Sequence, residues 1–356
     1  MLYTKVNNEK KEVHVVYDGV LENLFQSYKL FNVLDNSYFI SLFNQNYTLC
    51  FVDIYDFSNL SYIDELESIR RYFRLGNVKL YTSISNLKEL SYVPEWLNII
   101  PSNSFFWHMN YRFGWDILIT KKREPNYYKV KKNIGFWNRK PKLGRLFLIG
   151  KINFKESIYD YKINDFPNKE SVESLLKYFQ GPQDYLHTIN LGKSKLGSGT
   201  IKESKLPSAS NQQDESLQFY SNTGLYQSIF VNLISETLSD YGLSSNRILS
   251  KGIFTTEKVA KPMIRFRPFL VHANPNYYSK LKSMGFQTFD KYWDESFDSE
   301  LNFEKRTQKF LNTLSFIENI KPSDINKILI DMDPILKNNY NVLMEYMNST
   351  PDYDIY

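Results

Sequence analysis

Gln227-Ser228-Ile229-Phe230-Val231-Asn232-Leu233-Ile234-Ser235-Glu236-Thr237 opens as an apolar, β-branched run of strand length, and the residues from there to Asp298 decide the fold. A polar stretch to Asn246 leads into Gly252-Ile253-Phe254-Thr255-Thr256-Glu257-Lys258. Thr255 or Thr256 can cap a helix whose apolar spacing runs through Val259, Met263 and Phe266, with Pro262 in the first turns, where proline costs least. Pro268 to Ala273 predicts a buried strand, Asn274 to Met284 a helix stopped by Gly285, and Phe286 to Phe289 a third strand. Strands alternating with helices of about ten residues imply βαβ units and a parallel sheet.

In such a sheet a ligand sits beyond the carboxyl ends of the strands, where helix N-termini point. Thr255-Thr256-Glu257-Lys258 falls at that place. Free backbone N–H groups there favour a phosphate, and Lys258 adds positive charge. Glu257 can accept hydrogen bonds from ribose or sugar hydroxyls. An ordinary capped helix with a solvated Glu257–Lys258 pair accounts for the same residues.

Phe254-Thr255-Thr256-Glu257-Lys258, a helix, and Pro268-Phe269-Leu270-Val271 together resemble the Thr-Glu-Lys donor-binding segment of α-1,3-fucosyltransferases and related GT-B glycosyltransferases. The chain more closely resembles a group of phage and giant-virus proteins that are glycosyltransferase-like at their C-terminal end. The matching residues are Ser235-Glu236, the Thr-Glu-Lys segment, Gly285 to Phe289, Trp293-Asp294-Glu295-Ser296-Phe297-Asp298 and Arg306. Upstream, Asn138-Arg139-Lys140-Pro141-Lys142-Leu143-Gly144-Arg145 resembles the Asn-Arg-x-Pro-x-x-x-Arg segment of that group. The chain departs at position 261, which is Lys where an aromatic or apolar residue is usual. The resemblance covers about Phe136 to Arg306 discontinuously and implies a nucleotide-sugar-dependent transferase.

With 356 residues the chain has room for two ordinary domains. Its 42% hydrophobic and 23% charged residues exclude a disordered chain, and the 16% aromatic share, with abundant Asn, Lys and Ile, reads as codon bias from an A·T-rich genome such as a phage's. The single cysteine, Cys50, lies in an apolar strand; it excludes intrachain disulfides and multi-cysteine metal sites and reads as a buried structural thiol. Met1 to Glu12 is polar and charged, unlike a signal peptide, and no apolar run approaches the length of a membrane span, so a soluble, cytoplasmic protein is expected. Net charge +5 is mildly basic and compatible with, without requiring, an anionic partner.

From the N-terminus, Glu12 to Val20 predicts a strand entering a loop at Asp18-Gly19, and Asn23 to Leu34 has helical spacing. Phe39 to Phe43 and Leu49 to Ile54 are further apolar runs; Ser61 opens a helix with Asp64 and Glu65 in its first turn, and Asn77 to Ser83 predicts a strand. Glu95 to Trp115 is aromatic-rich without a decisive period. Asn133 to Trp137 predicts a strand and Gly144 to Ile152 a helix. Lys121 to Arg145 is the densest positive stretch, with Tyr127 and Tyr128 interleaved; it reads either as a solvated basic face or as an anion site for a donor diphosphate or DNA. Residues 181–215 read as irregular, because they are Gly/Ser-rich without apolar periodicity; Gly192-Lys193-Ser194 is no P-loop, since position 187 is His and not Gly. Glu300 to Leu314 and Pro322 to Met347 predict helices, the latter broken at Pro334.

The expected fold is α/β with two Rossmann-like domains facing a cleft, GT-B-like, comprising residues 1–155 and 170–356, the last helices crossing back by analogy. The expected activity moves a sugar from a nucleoside diphosphate sugar to an acceptor hydroxyl, of hydroxymethylated phage DNA or of a glycan, without metal or resident cofactor. Thr256, Glu257, Lys258 and Glu236 are the donor candidates, with Arg139 and Arg145 from across the cleft. Asp18, His14 and Asp53, read as strand-end residues of the first half, are candidate bases. A competing expectation is a non-catalytic nucleic-acid or partner-binding protein on a degenerate transferase fold. Asp331-Met332-Asp333 after Ile328-Leu329-Ile330 makes a superficial strand plus Asp-x-Asp, the basis of a weaker, metal-dependent reading.

Overall fold

The computed structural model describes residues 2–17, 29–53, 63–90, 92–102, 125, 127, 130–138, 142–152, 157–161, 176, 179–197, 228–236, 238–239, 241–245 and 251–349. The fold is α/β, and the chain forms two compact units, Met1–His108 with Asn348–Tyr356, and Met109–Met347. No helix among the described residues is long and apolar enough to cross a membrane.

The first unit holds a sheet of β1 (Leu2–Asn7), β2 (Glu12–Tyr17), β3 (Thr48–Asp53), β4 (Val78–Thr82) and β5 (Leu97–Pro101), in that spatial order. β1 runs antiparallel to β2 and the other pairs are parallel. The polar opening of the chain is thus an edge strand, and β5 comes from the aromatic-rich stretch without a clear period. Val13, Val15, Leu49, Phe51, Val78 and Leu80 are inaccessible, as residues of covered strands are. The helices are α1 (Lys29–Leu34), α2 (Ser37–Asn44), α3 (Ile63–Tyr72) and α4 (Leu87–Leu90). Asn36 caps α2, its side-chain oxygen accepting from Phe39 N at 3.0 Å.

The second unit holds a wholly parallel sheet of β6 (Lys132–Asn138), β7 (Ser157–Tyr161), β8 (Ile229–Ser235) and β9 (Phe269–His272), ordered β7-β6-β8-β9. Every residue of β8 is buried, the mark of a central strand. Because β6 pairs with β7 and β8, the units part near residue 108 and the expected boundary at 155–170 is displaced. The helices are α5 (Leu143–Lys151), α6 (Gln183–Gly197), α7 (Glu257–Met263), α8 (Tyr277–Ser283), α9 (Phe303–Glu318), α10 (Pro322–Asp331) and α11 (Asp333–Asn348).

Helix α6 corrects the irregular reading of 181–215 over its own length; residues 198–215 lie outside the described set. Its glycine is a packing notch: a Cβ at Gly192 would collide with the Leu146 carbonyl of α5, and one at Gly150 of α5 with the Thr188 carbonyl of α6. Glycine here lets two helices approach closely, and its turn propensity is not used. Phe286 to Phe289 is extended but joins no strand. Asn339 of α11 takes the place of a neighbour, accepting from Gln287 N at 2.7 Å and donating to Gln287 O at 2.8 Å. Pro262 stands in the last turn of a short α7, and the chain leaves that helix through Phe266 at φ 51°.

The C-terminal helices hold contacts within the second unit, and the chain from Asn348 on is grouped with the first unit. Asn133 of β6 donates to the carbonyls of Ile317, Glu318 and Ile320 at 2.8–3.1 Å, and Tyr127 donates to Asp333 at 2.7 Å. Ile328-Leu329-Ile330 is part of α10, so the Asp-x-Asp reading has no strand behind it. Asp331 accepts from Tyr292 and Asp333 pairs with Lys337.

Candidate site at the carboxyl ends of the second sheet

The strand order places β7 and β8 on opposite sides of β6. The order changes direction between β6 and β8, and beyond the carboxyl ends of strands at such a switch is where open α/β sheets take their ligands. β6 ends at Asn138 and returns as α5 at Leu143; β8 ends at Ser235 and passes directly into Glu236.

Glu236 is fully buried (0% exposed) and organises this end of the sheet. Its carboxylate accepts from Thr256 N at 3.2 Å, Thr256 Oγ1 at 2.6 Å and the Tyr277 hydroxyl at 2.8 Å, and Lys258 Nζ stands 3.5 Å away. Thr256 in turn caps α7, its hydroxyl oxygen accepting from Lys258 N at 3.3 Å, and also accepts from Lys258 Nζ at 3.0 Å. The Ser-Glu and Thr-Glu-Lys segments thus form one construction. Lys258 is 20% exposed and serves as the counter-charge of a buried carboxylate, which the reading of a solvated Glu-Lys pair did not contain. Glu257 is the first residue of α7, and its side chain lies outside the described set.

The first turn of α5 presses on the same strand ends. A Cβ at Gly144 would stand 2.9 Å from the Ser239 carbonyl oxygen and 3.0 Å from His272 Cε1. Ser235 and Ser239 share a hydrogen bond of 3.2 Å, and Ser235 is the register partner of His272. Burial, together with the charge of Arg306, pushes the His272 pKa down to about 3, so the ring is neutral at ordinary pH. Its Nδ1 is buried without a hydrogen-bond partner among the described residues. Tyr277, Ser239 and His272 were not singled out in the sequence. His272 and Ser235 carry one readable signal, a polar residue ending an apolar strand.

Arg145 belongs to the same unit as the Thr-Glu-Lys segment and is 4% exposed, so it neither reaches over from another domain nor lines a cleft mouth. It is the third residue of a helix buried from Leu143 to Ile149 between the sheet and α6. Arg139, with the basic residues 121–123, 129 and 140, lies outside the described residues.

Of the candidate bases, His14 is corrected. It stands inside β2, 0% exposed, paired in register with Lys5 and Cys50, and bonded to Glu12 at 2.7 Å. Asp53 is the last residue of β3, and Asp18 lies outside the described residues.

The remaining residues of the C-terminal resemblance brace the backbone. Asp298 accepts from Tyr278 N at 2.9 Å and Ser279 N at 3.1 Å at the start of α8. Glu295 accepts from Phe289 N at 2.8 Å, and burial raises its pKa to about 7. Arg306 donates to the carbonyls of Phe297, Asp298 and Ala273, the last at 2.7 Å, gathering the loop after β9 and the loop before α9.

Two described concavities lie away from the strand ends: one of about 400 Å³ between Trp293, Phe316, Lys321 and Ile328, and one of about 700 Å³ beside Lys88, Tyr92 and Glu95. Residues 139–141, 237, 240 and 246–250, which follow β6 and β8, are outside the described set. Comparison of the chain with family models, curated proteins and solved structures gives no match.

Proposed function

We propose that the second unit binds a nucleoside diphosphate sugar beyond the carboxyl ends of β6 and β8, and that the protein is a glycosyltransferase. The observation that carries this reading is the Glu236 carboxylate, at the carboxyl end of β8, fixing Thr256 and Lys258 at the start of α7. A turn held by three polar contacts to a buried carboxylate keeps the Lys258 ammonium in place before a ligand arrives, which is what anion recognition needs. In this reading Lys258 faces the diphosphate while balancing Glu236, and Glu257 holds ribose or sugar hydroxyls. Glu236 and Tyr277 act behind them and touch no ligand.

The chemistry required is charge stabilisation on the departing nucleoside diphosphate and a base beside the acceptor hydroxyl. In this reading Lys258 supplies the first. For the second, Asp18 and Asp53 are proposed. The finer part of the reading is a GT-B-type arrangement of the two units in a cytoplasmic enzyme of phage type. Its acceptor is a hydroxymethylated base of DNA, approached through the basic residues 121–145, or a surface glycan.

A panel of radiolabelled nucleotide sugars, incubated with hydroxymethylated DNA and with a glycan mixture, tests the reading. Sugar transfer to either acceptor supports it. A protein whose melting temperature responds to DNA and to no nucleotide or nucleotide sugar is a binding protein instead.

A further inference from the structure

One face of the first unit's sheet carries a polar cluster that the proposed transferase site does not use. Glu12 and His14 lie two apart on β2 and therefore on the same face. His14 stands beside Cys50 of β3, and Cys50 beside Lys79 of β4. The three potential ligand atoms of Glu12, His14 and Cys50 all lie within 4.8 Å of one another, and all three residues are buried. Val13, Val15, Leu49 and Phe51, which alternate with them on the same strands, are fully buried on the opposite face. A carboxylate, an imidazole and a thiol converge on one face, which Lys79 and Tyr81 share.

We propose that Glu12, His14 and Cys50 form a binding site for a divalent transition metal of zinc type. The mixed oxygen, nitrogen and sulfur donor set suits a borderline cation and excludes magnesium and calcium, which take oxygen ligands. Three protein ligands leave a fourth tetrahedral position for water. In the metal-free arrangement a hydrogen bond of 2.7 Å joins His14 Nε2 to Glu12. The ion takes the place of that bond's proton, and this proton and that of the thiol both pass to solvent as the ligands bind.

The surroundings fit this role. Lys79 pairs with the other oxygen of Glu12, as outer partners of ligating carboxylates do, and it orients the group that would bind the ion. Its side chain is 29% exposed, whereas Glu12, His14 and Cys50 are exposed by 2% or less. The His14 ring lies against Tyr81, 5.9 Å between centroids, which fixes its plane. Because the ligands come from two adjacent strands, the ion would tie β2 to β3.

Cobalt(II) titration of the untagged, full-length protein tests the site. The chain has a single cysteine, so a sulfur-to-cobalt charge-transfer band in the near ultraviolet can only report Cys50. The expected result is one cobalt per chain with that band and the intense visible absorption of a tetrahedral ion, both lost on adding zinc. Cys50→Ser should abolish the charge-transfer band, and His14→Gln should weaken cobalt binding at least tenfold. Wild-type protein that takes up no cobalt, or takes it up without the sulfur band, overturns the proposal whatever the variants do. Unchanged affinity in a folded His14→Gln protein overturns it equally.

Discussion

The carboxylate of Glu236, at the end of β8, holds both the backbone N–H and the hydroxyl of Thr256, twenty residues later in the chain. A strand end and a helix start are thereby locked together, and Lys258 is drawn in as the counter-charge. Glu236→Ala leaves Thr256, Tyr277 and Lys258 without their acceptor in a buried place. Urea denaturation should show a loss of about 3–5 kcal/mol. Lys258→Met, which keeps the aliphatic stem, should cost about 1–3 kcal/mol, because Glu236 then lacks its cation. A surface lysine would give no change.

Gly192→Ala separates the packing role of α6 from its helix propensity. In an exposed helix the substitution stabilises by about 1 kcal/mol. Here the new methyl meets the Leu146 carbonyl of α5, so the sign reverses, and a loss of about 1–3 kcal/mol is expected by chemical denaturation.

Arg306 should behave as a structural residue. Its guanidinium serves three carbonyl groups, and burial lowers its pKa to about 10. Arg306→Met leaves those carbonyls without their charged donor and should cost about 2–4 kcal/mol. Arg306→Lys, lacking the planar fork, should recover less than half of that. Thermal melts of the pair, with and without nucleotide, would show equal shifts in both conditions.

Glu295 sets a pH dependence of definite sign. Burial raises its folded pKa to about 7, above the ordinary value of 4.5. The folded state therefore binds this proton more tightly than the unfolded chain. The resulting stabilisation is complete below pH 4.5 and disappears as pH rises through 7. Its size is on the order of 3 kcal/mol. Glu295→Gln keeps the acceptor for Phe289 N and should flatten that part of the stability profile between pH 5 and pH 8, as measured by urea midpoints.

The sequence carried the parts of the fold that local chemistry determines. β8 and β9 are legible because apolar runs of strand length are bounded by polar residues, and α10 and α11 because Pro322 and Pro334 stand in their first turns. What was not legible depends on distant partners. Gly192 looks like a loop residue until Leu146 is set against it. Phe286 to Phe289 has strand composition, but the backbone N–H and carbonyl of Gln287 are bonded by Asn339, some fifty residues on. His14 has the chemistry of a base, and only the strand register shows it enclosed beside Cys50. Thr256 and Lys258 were readable as a capped helix start; their tie to Glu236 and Tyr277 was not, because nothing local marks Glu236 as buried.

Hydrogen–deuterium exchange in the presence of nucleoside diphosphates and their sugars tests the donor site most directly. With a diphosphate that raises the melting temperature, slowed exchange should be concentrated at 235–239, 255–259 and 142–146, and Lys258→Met should weaken binding about ten- to a hundredfold. Protection confined to other segments, or undiminished affinity in Lys258→Met, would contradict a donor site at the carboxyl ends of β6 and β8.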